Sequence, residues 1–196
     1  MNSREPFRYE PRFITVAAAD RLLQILWEEL DWKSYRIAMF GREIEQPRLT
    51  AWCSDPGIEY RYSGIRLQPA PWHPDLDACR QRLANELGLA FNSVLANAYR
   101  DGGDAMGWHA DDEPELGEEP CIASLSLGET RRMLVRPKAG GASRRLDLEH
   151  GSLLIMQGHS QSDWLHSIPR TNRRVGLRIN LTFRRIEVFD PKGQSR

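Results

Sequence analysis

The chain has 196 residues, 40% of them hydrophobic and 28% charged, with 27 Lys plus Arg against 27 Asp plus Glu. That is apolar material enough for one ordinary core, and it excludes both a disordered chain and a fibrous one. A formal charge of zero excludes a protein that coats nucleic acid by bulk attraction, while leaving local basic patches open.

Residues 1–14 are polar and are expected to form a loose attachment. From Ala18 to Asp31 the apolar residues Leu22, Leu23, Leu26, Trp27 and Leu30 fall on one helical stripe. Residues 36–70 read as short strands broken by Asp55-Pro56-Gly57 and Ser63-Gly64. A second helix fits Pro74 to Leu87: Pro74 suits the first turn, Asp75 and Asp77 suit the positive end of the dipole, and Gly88 terminates it. Beyond Gly88 short β-like runs follow one another at Asn92–Tyr99, Cys121–Leu127, Arg132–Arg136, Arg144–Leu148, Ser152–Gln157, Asp163–Ile168 and Val175–Val188. Strands in series without intervening helices predict an antiparallel sandwich or jelly roll, so the fold class is mainly β with flanking helices.

No apolar run approaches the roughly 18 residues of a spanning helix, and MNSREPFRYE lacks a signal-peptide core, so no membrane partner is expected. Cys53, Cys79 and Cys121 are widely separated and form no CxxC pair, which points to a reducing compartment, cytoplasmic or nuclear in a eukaryote. A monomer is the default expectation.

In Gly107-Trp108-His109-Ala110-Asp111 an imidazole and a carboxylate stand two residues apart, and in extended backbone both point the same way. His166, in Asp163-Trp164-Leu165-His166-Ser167, supplies a second imidazole. Two imidazoles and one carboxylate leave positions open on a metal, as in non-haem Fe(II) oxygenases. The same set suits zinc with an open water position, or two structural histidines. Downstream, Arg178-Ile179-Asn180-Leu181-Thr182-Phe183-Arg184 alternates without a break, placing Arg178, Asn180, Thr182 and Arg184 on one face of a strand. Asn97 and Tyr99 share a face of an earlier strand. Such a polar face is either solvated or built to hold a small dicarboxylate, one carboxylate per arginine.

With these residues in view the chain resembles the AlkB family of Fe(II)- and 2-oxoglutarate-dependent dioxygenases, nearest its duplex-DNA-repairing branch. The resemblance runs from about residue 36 to 188 and rests on Asn97–Gly102, Trp108–Glu113, Ile122–Gly128, His150–Leu154, Trp164–Pro169 and Arg178–Arg184. It implies a double-stranded β-helix core and Fe(II) on His109, Asp111 and His166, with O₂ as co-substrate. It implies 2-oxoglutarate held by Asn97, Tyr99, Arg178, Asn180, Thr182 and Arg184, Arg178 taking the distal carboxylate and Arg184 lying nearer the iron. It also divides one domain into an N-terminal attachment and helix (about 1–35), a nucleotide-recognition lid (36–90) and a catalytic core (91–188).

The implied reaction hydroxylates an alkyl carbon on a base nitrogen, and the product falls apart to an aldehyde and the restored base. A base within a duplex must be flipped out to reach such a site. The resemblance sets Tyr62 on one face of that base and His109 on the other, with Tyr60 on the same strand face as Tyr62. Asp112, helped by Glu113, would meet the edge of a cationic base such as 1-methyladenine or 3-methylcytosine, with etheno adducts as further substrates. Phe40 and Gly41, after Met39, resemble an apolar finger that fills the gap left by the flipped base. Arg42 and Arg48 would contact phosphates or the orphaned base. Basic clusters at Arg131-Arg132, Arg136 with Lys138, Arg144-Arg145 and Arg170–Arg174 could follow the phosphate backbone. Alkylated DNA is the expected partner. Competing readings are the same chemistry on RNA or tRNA, a lesion-binding module without catalysis, and oxidation of a protein or small molecule.

Overall fold

The protein is seen here as a computed structural model that describes residues 5–39, 42–58, 60–62 and 65–187. The chain opens with β1 (Phe7–Glu10), α1 (Val16–Glu29), β2 (Arg36–Met39), β3 (Arg42–Glu45), β4 (Leu49–Ser54), β5 (Tyr60–Tyr62), β6 (Ile65–Leu67) and α2 (Pro74–Leu87). There follow β7 (Ser93–Tyr99), β8 (Met106–His109), β9 (Ile122–Gly128), β10 (Arg131–Pro137), β11 (Arg144–Leu148), β12 (Leu153–Met156), β13 (Trp164–Ile168) and β14 (Arg178–Arg184).

Both helices begin and end where local chemistry dictates. Thr15 accepts from the Ala18 N–H at 3.3 Å to start α1, and His73 Nδ1 accepts from the Asp75 N–H at 3.2 Å to start α2. Gly88 closes α2 at φ 66°, in the left-handed region that glycine enters without penalty. The α1 stripe is narrower than its spacing suggests. Ala19, Leu22 and Leu26 are buried, while Trp27 is 39% exposed and lies against Trp32.

Among the described residues the strands form two antiparallel sheets, β1-β12-β9-β14-β7-β4 and β11-β10-β13-β8, with separate hairpins β2–β3 and β5–β6. The larger sheet is buried on both faces. Ile179, Leu181 and Phe183 of β14 join Val94, Ala96 and Ala98 of β7 in the core under α1 and α2. The opposite faces of the two sheets enclose Tyr99, Met133, Val135, Leu154, Met156 and Ile168. Mainly strand with two flanking helices, this is the expected jelly-roll architecture.

One expectation needs correction. The first 14 residues are not all loose: β1 pairs with β12 from Phe7↔Met156 to Glu10↔Leu153, and Phe7 packs edge-on against Trp164 at 5.5 Å. The reason lies in β12, whose Leu153, Leu154, Ile155 and Met156 would otherwise end the sheet as a bare apolar edge. At the other edge β4 plays the same part against β7. The last strand is also shorter than the run Val175–Val188, covering Arg178–Arg184.

Candidate active site

Strands β8 and β13 pair so that His109 stands opposite His166, with ring centroids 4.1 Å apart. Asp111 lies two residues beyond the end of β8, its Oδ1 3.6 Å from His109 Nε2. The three side chains offer ligand atoms that all lie within 4.8 Å of one another. The H-x-D spacing thus does what alternation predicts. What brings in His166 is the pairing of strands far apart in the chain.

His109 Nδ1 is 2.9 Å from the Gly107 carbonyl oxygen, so it carries the proton and leaves the Nε2 lone pair facing the carboxylate. Asp111 Oδ1 and His166 Nδ1 are buried without a hydrogen-bond partner among the described residues. A buried carboxylate oxygen left bare costs on the order of 1–3 kcal/mol, and a cation at the centre of this triad would remove that cost. Its other oxygen, Oδ2, accepts from Arg184 at 2.6 Å (Nη2) and 3.2 Å (Nε).

Burial would raise the Asp111 carboxyl, but Arg184, His166 and His109 together hold it below the ordinary carboxylate range. Burial, with His109 alongside, pushes His166 down to about 3, and burial likewise lowers His109. At neutral pH the site therefore presents one carboxylate and two neutral imidazoles, the protonation state a metal requires.

The polar face of β14 turns inward, toward the same cavity, and all seven residues of the strand are buried. Its polar groups satisfy one another in a chain. Arg178 Nη2 donates to Asn180 Oδ1 at 2.6 Å and to Ser126 Oγ at 3.0 Å, and Asn180 Nδ2 donates to Thr182 Oγ1 at 2.8 Å. Arg178 has no exposed surface, and its guanidinium lies 5.1 Å over the Tyr99 ring. Burial pushes its pKa down to about 10, so it stays charged at neutral pH. Its Nε and Nη1 have no hydrogen-bond partner among the described residues, which leaves a buried cation suited to a carboxylate. Asn97, Tyr99, Asn180, Thr182 and Arg184 line the cavity beside the triad.

The chain matches the 2OG-Fe(II) oxygenase superfamily over residues 6–184. It belongs to that family. Alpha-ketoglutarate-dependent dioxygenase alkB homolog 3 of Homo sapiens is 40% identical over 193 residues, covering 93% of this chain and 66% of that protein. DNA oxidative demethylase ALKBH2 of Mus musculus is 39% identical over 181 residues, covering 87% of this chain and 76% of that protein. The chain thus spans 66% of the length of its human alkB homolog 3 relative. The solved structure of OsALKBH1 shares the fold at a TM-score of 0.62 and 22% identity, covering 94% of this chain and 100% of that one. The resemblance to the AlkB group therefore stands, and His109, Asp111 and His166 form a group that could hold the Fe(II) of this family.

Other expected residues fall in varied places. Phe40 and Gly41 lie outside the described residues, while the strands flanking them pair with Met39 opposite Arg42. Tyr60 and Tyr62 are in β5, opposite Leu67 and Ile65 of β6. Asp112 is exposed and ion-paired with Lys138 at 2.8 Å, and Glu113 is half-buried just before a short 3₁₀ turn. Arg48, expected at phosphates or the orphaned base, is 5% exposed and donates from Nε to Asn97 Oδ1 at 2.9 Å. Arg131, within one of the basic clusters, is buried and donates to the carbonyls of Asp101, Asp104 and Pro169, each at 2.9 Å. Sequence reasoning passed over Ser124, Ser126 and Gln161. The serines alternate along β9 opposite Thr182 and Asn180, a signal available in the sequence, whereas nothing local marks Gln161.

Proposed function

We propose that this 2OG-Fe(II) oxygenase is an oxidative demethylase of N-alkylated bases in DNA. The observation that carries the reading is the buried alignment of a His-Asp-His triad with an arginine-bearing polar strand, in a chain 39% identical to a DNA oxidative demethylase. Iron with 2-oxoglutarate and O₂ supplies oxidation of the alkyl carbon, after which the base nitrogen releases it as an aldehyde.

The protein's work is holding and aiming. Arg178 offers Nε and Nη1 to the distal carboxylate of 2-oxoglutarate, with Asn180, Thr182, Asn97 and Tyr99 around the rest of the molecule. Arg184 keeps Asp111 ionised and oriented. Burial of Asp111, His166, Arg178 and Arg184 limits the water that reaches these groups. His109, its side chain 23% exposed, forms the floor on which a flipped base stacks, with Tyr62 as the opposing ring. Asp112 and Glu113, beside the triad, face the base edge. Phosphates would be drawn to a cleft of about 400 Å³ lined by Arg132, Arg170, Arg173 and Arg174.

The test is anaerobic loading with Fe(II) and 2-oxoglutarate, followed by air and a duplex carrying one 1-methyladenine. Loss of the methyl group with wild type and its absence with His109→Ala is the expected result. Succinate without demethylation would leave the oxygenase and remove the DNA substrate; faster turnover on a matched RNA strand would move the assignment to RNA. Phe40→Ala should lower duplex repair at least several-fold and leave a single-stranded substrate untouched.

A further inference from the structure

Asp111 does double duty: its Oδ2 is held by Arg184, and only Oδ1 faces the two imidazoles. Where that oxygen points depends on where the Asp111 backbone is held. The residue stands beyond the end of β8 and is 1% exposed, so neither a strand ladder nor water serves its N–H. The N–H donates instead to Gln161 Oε1 at 2.9 Å. Gln161 is equally buried, and its Nε2 donates to Ser160 Oγ at 3.1 Å and reaches Met156 Sδ at 3.6 Å. Those contacts fix the amide with its oxygen on Asp111; turned over, it would set N–H against N–H.

Gln161 also has a telling place in the chain. It follows the 3₁₀ turn Gly158–Ser160 and leads into β13, the strand that carries His166. One side-chain bond therefore joins the segment bearing one metal ligand to the segment bearing another. We propose that Gln161 is a positioning residue of the iron centre, holding the Asp111 backbone at the distance from His166 that a metal needs. Without it, Asp111 keeps its carboxylate bonds to Arg184 but loses the backbone tie to the segment that carries His166.

The test titrates Co(II) anaerobically into the metal-free full chain, reading affinity by calorimetry and ligand geometry by visible absorption. Gln161→Met keeps the length and loses the acceptor, and should bind Co(II) about 10–100-fold more weakly with an altered spectrum, the usual scale for an outer-shell partner. Gln161→Glu keeps an oxygen acceptor and should recover affinity to within a few-fold. Leu83→Ala, in α2 and away from the site, is the stability control: it should lower the melting temperature and leave Co(II) affinity unchanged. Wild-type affinity and spectrum in Gln161→Met overturn the proposal. So does a Co(II) loss in Leu83→Ala matching that of Gln161→Met at equal loss of melting temperature. Should Gln161→Met not fold, Gln161→Asn, too short to reach, serves in its place with the same expected loss and the same overturning result.

Discussion

Two arginines on one strand face do different jobs, and their surroundings say which. Arg184 is already matched to the Asp111 carboxylate, whereas Arg178 keeps two buried donors without a hydrogen-bond partner among the described residues. A planar guanidinium can offer both donors to one carboxylate, and a lysine ammonium cannot reproduce that fork. Arg178→Lys should therefore raise the KM for 2-oxoglutarate by roughly ten-fold or more, in line with losing a charge-assisted hydrogen bond of about 1.5–3 kcal/mol. Steady-state kinetics with 2-oxoglutarate varied checks it; an unchanged KM would place the distal carboxylate elsewhere. Most of this residue-level design was readable before the fold, because alternation sets Arg178, Asn180, Thr182 and Arg184 on one face. What alternation could not say is that this face is buried. A polar stripe in a central strand and one on an edge strand look alike in sequence.

At the scale of elements, the ends of strands matter as much as their middles. Gly128 closes β9 directly opposite Arg178, with φ at 84°, and a Cβ there would meet the Leu177 carbonyl oxygen at 2.3 Å. Its N–H donates to His150 Nδ1 at 2.7 Å, which gives that histidine a structural role. Gly128→Ala must both strain the backbone and push β14 at its first residue. It should cost more than about 1 kcal/mol of stability and weaken 2-oxoglutarate binding along with it. Denaturant unfolding and calorimetric binding measure the two effects, and a variant that lost neither would show the close approach to be yielding. The motif His150-Gly151-Ser152 was visible as part of the family resemblance, while the contact from His150 back to β9 was not.

For the molecule as a whole, the triad makes stability depend on pH when no metal is bound. His166 has a folded pKa of about 3 against an ordinary 6.5. Between those values the unfolded chain binds a proton that the folded chain refuses, so stability rises with pH across the window. Lowering pH from about 6.5 toward 3 should progressively depress the melting temperature of the metal-free protein. Asp111, whose carboxyl is lowered, acts in the same direction at the acid end. Bound metal should hold the melting temperature up until protons compete for its ligands. A melting temperature of the metal-free protein independent of pH from 6.5 to 4 would contradict the burial of these imidazoles.

By itself the sequence determined the two helices, the succession of strands, the His109-x-Asp111 pair and the shared polar face of β14. Each is written in spacing over a few residues, where backbone geometry converts position directly into direction. Only the tertiary structure decided that β1 covers β12, that Arg48 turns in to Asn97, that Arg131 knits three carbonyls and that Gln161 meets Asp111. Those contacts satisfy polar groups and edges that become buried only once distant segments meet. Their need for partners does not exist until the chain has folded.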